Sequence, residues 1–149
     1  MSWKVFEDDS PYLASLGYEK LNRKIVYLAT IKKDGSPRLH PVTPAIGNGM
    51  LFMFTESSSP KIQDLKRDGR YAMHCAIGHD GILFEFLVCG RTNVIGDPVV
   101  RAQAEKIMAP SIAIDNYVLF DFQVESVLVV EYGEDKKKVI RRWQRKKDV

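Results

Sequence analysis

Cysteine, histidine and long apolar runs are all scarce in this chain. Two cysteines, Cys75 and Cys89, and three histidines among 149 residues form no recognised metal-ligand spacing. Both cysteines lie inside apolar runs, "YAMHCAI" and "FEFLVCG", where reduced, buried thiols are expected. The stretch "HCAIGH" crosses a Gly-containing turn and is not read as a metal site. No segment approaches the ~18 apolar residues of a membrane span. The start "MSWKVFEDDS" lacks the basic-then-apolar order of a signal peptide. A cytoplasmic protein with no membrane partner is therefore expected. Repeats, low-complexity segments and internal linkers are missing too, so a single domain over residues 1–149 is the expectation.

The net charge of +3 is unevenly spread. Residues 136–149 hold eight of the 22 Lys/Arg and one of the 19 Asp/Glu, leaving 14 basic against 18 acidic residues in 1–135. A run such as "KKKVIRRWQRKK" attracts nucleic acid in some proteins and is the solvated face of a last strand in others. The lone Trp143 makes no base-stacking platform, so nucleic acid is disfavoured as a partner.

What is present is a regular alternation of strands and turns. "DDSPYLASLGYEKLN" offers Ser10 as N-cap and Pro11 at the first helical position. "KIVYLATIKK", "RLHPVTPAI" and "MLFMFT" read as three strands joined by the tight turns "DGSP" and "GNG", an antiparallel meander. Pro41 and Pro44 within the second of these require that one of its edges stay unpaired or bulged. "SPKIQDLKRDG" reads as a helix, "RYAMHCAI" and "ILFEFLVCGRTNVIG" as strands, and Asp97-Pro98 starts a helix to about Met108. "NYVLFDFQVESVLVVEY" reads as a long strand bent near Glu125-Ser126, followed by "KKKVIRRWQR" across a "GED" turn. Links this short exclude a parallel crossover array and favour a closed or partly open antiparallel barrel with helices outside it.

The stretch "FTESSSPK" poses the functional question. Ser59 before Pro60 is a good N-cap, and a well-capped helix is the plain reading. One cap needs one hydroxyl, however, and Thr55, Ser57, Ser58, Ser59 and Lys61 crowd the same end. Helix-start amides carry a partial positive charge, so with these donors the site suits a phosphate dianion. It is no Walker loop, because the glycines are missing. In the expected meander "RLHPVTP" runs beside "MLFMFT", so Arg38 and His40, on one strand face, would join the same ligand. A surface charge at Arg38 and a polar barrel-rim residue at His40 are the alternatives.

The set "VYLATIKKDGSPRLHPVTPAI", "GMLFMFTESSSPKIQDLKRDGRYAMH" and "FEFLVCGRTNVIGDP" resembles the pyridoxamine 5′-phosphate oxidase-like FMN-binding split-barrel proteins. The match covers residues 22–98, and the remainder agrees in pattern only. This resemblance implies a mainly β fold, a six-stranded antiparallel split β-barrel of Greek-key type with flanking helices, forming a homodimer with FMN at the subunit interface. It implies that Arg38, Leu39, His40, Pro41, Val42 and Thr43 line the isoalloxazine and ribityl chain. Phe54, Thr55, Ser59 and Lys61 would hold the phosphate.

The departures are informative. The oxidase has an arginine-lysine pair where this chain has Pro60-Lys61, and a glutamine where it has Glu85. Trp143 and Arg142 are the candidates for the C-terminal residues that reach a partner's flavin, with a core or dimer-contact role as the alternative for Trp143. The oxidase's "RLAP"-like ending is absent, which argues against pyridoxamine phosphate as substrate. An FMN-dependent oxidoreductase acting on another small molecule is the function implied. A deazaflavin reductase, a haem-binding or haem-degrading split barrel, and a non-catalytic flavin-binding protein are the alternatives.

Overall fold

The computed structural model describes residues 2–77, 84–108 and 115–147. The chain opens with two helices. α1 (Ser2–Asp9) has no counterpart in the expectations above, since its only signal is the pair Trp3 and Phe6 at i, i+3 in an acidic stretch. Both rings are buried, edge to face with centroids 5.1 Å apart. Phe6, fully buried, contributes roughly 1.5–3 kcal/mol. α2 (Pro11–Leu21) begins at the expected proline, but the Ser10 hydroxyl makes no cap hydrogen bond. A side chain at Gly17 would start 2.6 Å from Phe86 and 2.8 Å from Trp3, so only glycine lets α2 lie this close.

β1 (Val26–Ile31) and β2 (Pro37–Val42) form the expected hairpin, in register from Val26↔Val42 to Ile31↔Pro37. Gly35 takes a positive φ of 86° at the turn, and Asp34 accepts hydrogen bonds from the amide and hydroxyl of Ser36. β3 (Ala45–Gly47) and β4 (Met50–Glu56) pair across Asn48-Gly49. Then come α3 (Pro60–Arg67), β5 (Arg70–Cys75), β6 (Phe84–Val94), α4 (Pro98–Met108), β7 (Tyr117–Phe122), β8 (Ser126–Tyr132) and β9 (Lys138–Gln144). The antiparallel path runs β2-β1-β5-β6-β7-β4-β3, with β8 and β9 branching from β6. The expected mainly β antiparallel split barrel with flanking helices is thus what the chain forms, as a curled half-barrel sheet. Two expected strands are each broken, at Thr43-Pro44 and at Gln123–Glu125, so the described residues hold nine strands.

The three-strand meander is corrected. β2 pairs only with β1, and β4 pairs with β7 and the three-residue β3, at the other end of the path. Proline explains the break: Pro44 has no amide to continue a ladder, and the Asn-Gly turn pairs β4 with the short segment just before it. The unpaired edge required by Pro41 is therefore the free edge of β2. His79, and the expected β6 residues 82–83, lie outside the described residues.

β6 is where the sheet divides. Its residues 84–89 pair with β8 and residues 92–94 with β7, while β5 lies along Leu87–Arg91. At the fork the chain of 123–125 crosses Gly90, bonded by Gln123 N–H to Arg91 O (2.7 Å) and Glu125 N–H to Cys89 O (3.0 Å). Tyr71 donates to the Gln123 carbonyl at 2.9 Å. A Cβ on Gly90 would lie 1.9 Å from that carbonyl oxygen. Gly90→Ala is therefore expected to cost about 3 kcal/mol or to prevent folding, whereas Gly96→Ala, with nothing within 4 Å, should change stability by about 0.5 kcal/mol or less. Urea-unfolding midpoints of the two variants decide this; equal midpoints would mean the crossing is not a constraint.

Candidate functional site

The inner face of β2 presents Arg38, His40 and Val42, opposite Thr30, Leu28 and Val26 of β1. α3 packs over β1, and its Asp64, with a side chain only 2% exposed, reaches past that strand. One Asp64 oxygen accepts Thr30 Oγ1 at 2.9 Å and Arg38 Nε at 2.7 Å; Arg67 Nη2 stands 3.5 Å from the other. Lys61 and Asp64 share a helix face at i, i+3, a rise of about 4.5 Å. Arg38 and His40 share a strand face at i, i+2, about 6.6 Å apart. Arg38 with Asp64 and His40 near Lys61 thus form two matched levels. β2 and α3 meet as expected from sequence, although through α3 crossing β1 instead of through adjacent strands.

The charges interact. Burial pushes Asp64 up, but hydrogen bonds from Arg38 and Thr30 and the charges of Arg38 and Arg67 outweigh it, holding its carboxyl below the usual value. Burial lowers Lys61, with Glu56 opposing. His40 is lowered first by burial, then by Lys61 and Arg38, with Asp64 pulling the other way. The imidazole is therefore neutral at physiological pH.

Three observations fit a phosphate here. Ser59 gives no side-chain cap to α3: its hydroxyl accepts Lys61 Nζ at 2.8 Å, while its carbonyl accepts the Ile62 amide at 3.1 Å, so the lysine is the donor held at the start of the helix. The buried Nε2 of His40 and Oγ1 of Thr55 make no hydrogen bond. Beside Arg38 and Asp64 a concavity of about 420 Å³ is bordered by Lys32, Lys33, Asp34, Pro60, Gln63 and Arg67, a lining in which cations outnumber carboxylates, with Lys61 and Ser59 outside it. Such groups suit an anion such as a phosphate.

The other sequence candidates are spread more widely. Leu39, 70% exposed, and Pro41 lie on the outer face of β2, Val42 is buried, and Thr43 is exposed just past the strand. Phe54, near the end of β4, has the Arg101 guanidinium over its ring at 5.3 Å; Thr55 beside it is buried. Glu85 is on β6, three strands along the path from β2, 3.8 Å from His74 Nε2. Interaction with Cys75, whose carbonyl lies 2.6 Å from Nδ1, outweighs burial and raises His74 to about 9, with Glu85 adding to the rise. Trp143, on β9, donates its indole N–H to Asp9 at 2.6 Å and packs on Phe6 with centroids 4.9 Å apart. Within one chain neither Glu85 nor Trp143 meets the Arg38–Lys61 group. Asp64 and Thr30 escaped sequence reasoning. The available signal was an aspartate between Ile62 and Leu65, on the same helix face as Lys61.

No family model and no curated protein matches the sequence. Solved structures do match in fold. A heme binding protein from Mycobacterium smegmatis is 18% identical with a TM-score of 0.67, over 85% of this chain and 55% of its own, so this chain spans about half that protein's length. PhzG from Burkholderia lata 383, in complex with tetrahydrophenazine-1-carboxylic acid, is 15% identical with a TM-score of 0.66, over 95% and 87% of the two chains. A Clostridium acetobutylicum protein related to general stress protein 26 of B. subtilis (pyridoxinephosphate oxidase family) is 15% identical with a TM-score of 0.61, over 93% and 94%. The fold of this chain is that of the pyridoxamine phosphate oxidase-like split barrels. Among the described residues no helix is long and apolar enough to cross a membrane.

Because the folded state resists protonating His40, its stability is fully present above the ordinary histidine value of about 6.5 and is lost as pH falls below it. His40→Gln should flatten that decline, measured as unfolding midpoint against pH. An unchanged decline would assign the titration to another group.

Proposed function

We propose that this chain binds FMN, with the flavin phosphate at the start of α3, and acts as a homodimeric oxidoreductase on a small molecule. The observation that carries this reading is the convergence of Arg38, His40 and Lys61 on one uncapped helix start, beside two buried polar atoms without partners. Lys61 and the helix amides neutralise a phosphate, and the Arg38 fork adds planar donors. The free edge of β2, residues 38–43, lies toward the ribityl chain and ring, and Phe54 and Thr55 close the end of β4. FMN, when bound, supplies hydride exchange at its ring N5, while the protein supplies position and electrostatics. Residues 1–149 act as one binding unit.

A second copy is placed on the outer face of β1, β5, β6 and β8. One row across it reads Tyr27, His74, Leu87 and Leu128, and the next Ala29, Ala72, Cys89 and Ser126. Tyr27 is 46% exposed there. Arg142 shares this face, opposite Leu128, and is the β9 residue placed to approach a partner's site; Trp143 is turned toward α1.

One observation favours a second reading: a neutral, unpartnered imidazole nitrogen is also what haem iron takes as a ligand. Arg38 and Lys61 beside it favour the phosphate. Absorption spectra with added FMN or haemin, beside a sizing column, separate these. A dimer that binds FMN is expected. A Soret band with haemin and no FMN binding would transfer the site to haem, and indifference to both would turn it to a deazaflavin. A monomer that binds FMN would remove the interface.

Ser59→Ala with Lys61→Ala should weaken FMN binding by about 2–4 kcal/mol with the fold intact. Unchanged affinity in a flavin-fluorescence titration would place the phosphate elsewhere.

A further inference from the structure

Arg38 is anchored at one atom only. Its Nε donates to Asp64, and neither Nη nitrogen makes a hydrogen bond among the described residues. A guanidinium has five N–H donors, so four remain for a ligand. The anchoring oxygen also accepts the Thr30 hydroxyl, and Asp64 is buried in the middle of α3, one turn after Lys61. The guanidinium is therefore tied by its inner edge to the same helix whose first turn carries the lysine. A surface arginine could swing among rotamers; one hung on a buried carboxylate has a fixed direction.

We infer that Asp64 is a positioning residue for phosphate recognition: it holds Arg38 by Nε so that the Nη edge of the guanidinium faces an anion at the start of α3, with Thr30 fixing the carboxylate. This rests on the reading of that helix start as a phosphate seat. The role runs against simple electrostatics. A carboxylate near an anion site repels the anion, so by charge alone removing Asp64 should tighten binding. Positioning makes the opposite prediction, and the sign of the effect separates the two.

The test compares FMN with riboflavin, which lacks the phosphate, by flavin-fluorescence titration; the ratio of the two affinities isolates the phosphate contribution. Asp64→Asn should lower that ratio about tenfold and leave riboflavin affinity unchanged, since a hydrogen bond to a charged group contributes about one such factor. In an Arg38→Gln background the same Asp64→Asn change should leave the ratio unchanged or raise it, because only the repulsive charge is then removed. Asp64→Glu should restore part of the lost ratio. A ratio that rises or stays level in the otherwise native protein overturns the inference, as does an equal fall with and without Arg38. Should Asp64→Asn fail to fold, Thr30→Val, which alters no charge, takes its place: a fall of about threefold that vanishes with Arg38→Gln supports the role, and no fall overturns it. A native protein that binds FMN no better than riboflavin removes the phosphate seat itself, and this inference with it. That outcome differs from native binding that Asp64→Asn leaves intact.

Discussion

A backbone carbonyl, that of Gln123, occupies the space where a side chain on residue 90 would begin. This close approach lets β6 hydrogen-bond to β8 along one half and to β7 along the other, so the sheet divides into two halves that share one strand. The location of the site follows from the division. β4 belongs to one half and β5 to the other, and α3 is the link between them. A helix joining the two halves must start at their seam. There it receives the end of β4 at its first turn and, by crossing β1, the inner face of β2 on its side.

The charges at the seam are layered. Asp64 is buried and kept ionised by hydrogen bonds from Thr30 and Arg38 and by the charge of Arg67. Above it stand cations and a histidine held neutral first by burial and then by those cations. One buried negative charge among these positive ones keeps the cations from standing unbalanced in a low-dielectric interior. Glu85 and His74 repeat the arrangement in miniature on the outer face, a carboxylate matched by an imidazole.

Much of this was legible locally. Asp34-Gly35 fixed the β1–β2 hairpin because a positive φ there admits few residues, and prolines at positions 11, 60 and 98 marked three helix starts. Of the sequence candidates, Arg38 and His40 do gather beside Ser59 and Lys61. What escaped depends on contacts between distant segments. α1 is held by Trp3 and Phe6 against a corner over a hundred residues away, where Ser2 Oγ accepts from Val124 N–H at 2.9 Å. No short window encodes that pairing. The partners of β2 and β4 were misplaced for the same reason: adjacency in sequence suggested a ladder that proline and the fork redirected. Asp64 was hidden because an aspartate on a short helix usually faces water, and its burial is visible only once Arg38 and Thr30 are beside it.

The basic character of the last strand has a consequence unrelated to any ligand. Among the described residues β9 pairs with β8 on one side only, and Lys138, Arg141 and Arg142 lie exposed along it. β2, at another border of the sheet, has prolines at 37 and 41. Open strand borders invite uncontrolled growth by adding strands from neighbouring molecules. Here one border repels such an addition by like charge and another denies it the amide hydrogens it would need. Addition of a strand from a second copy is therefore disfavoured at these two borders, whatever else the chain binds.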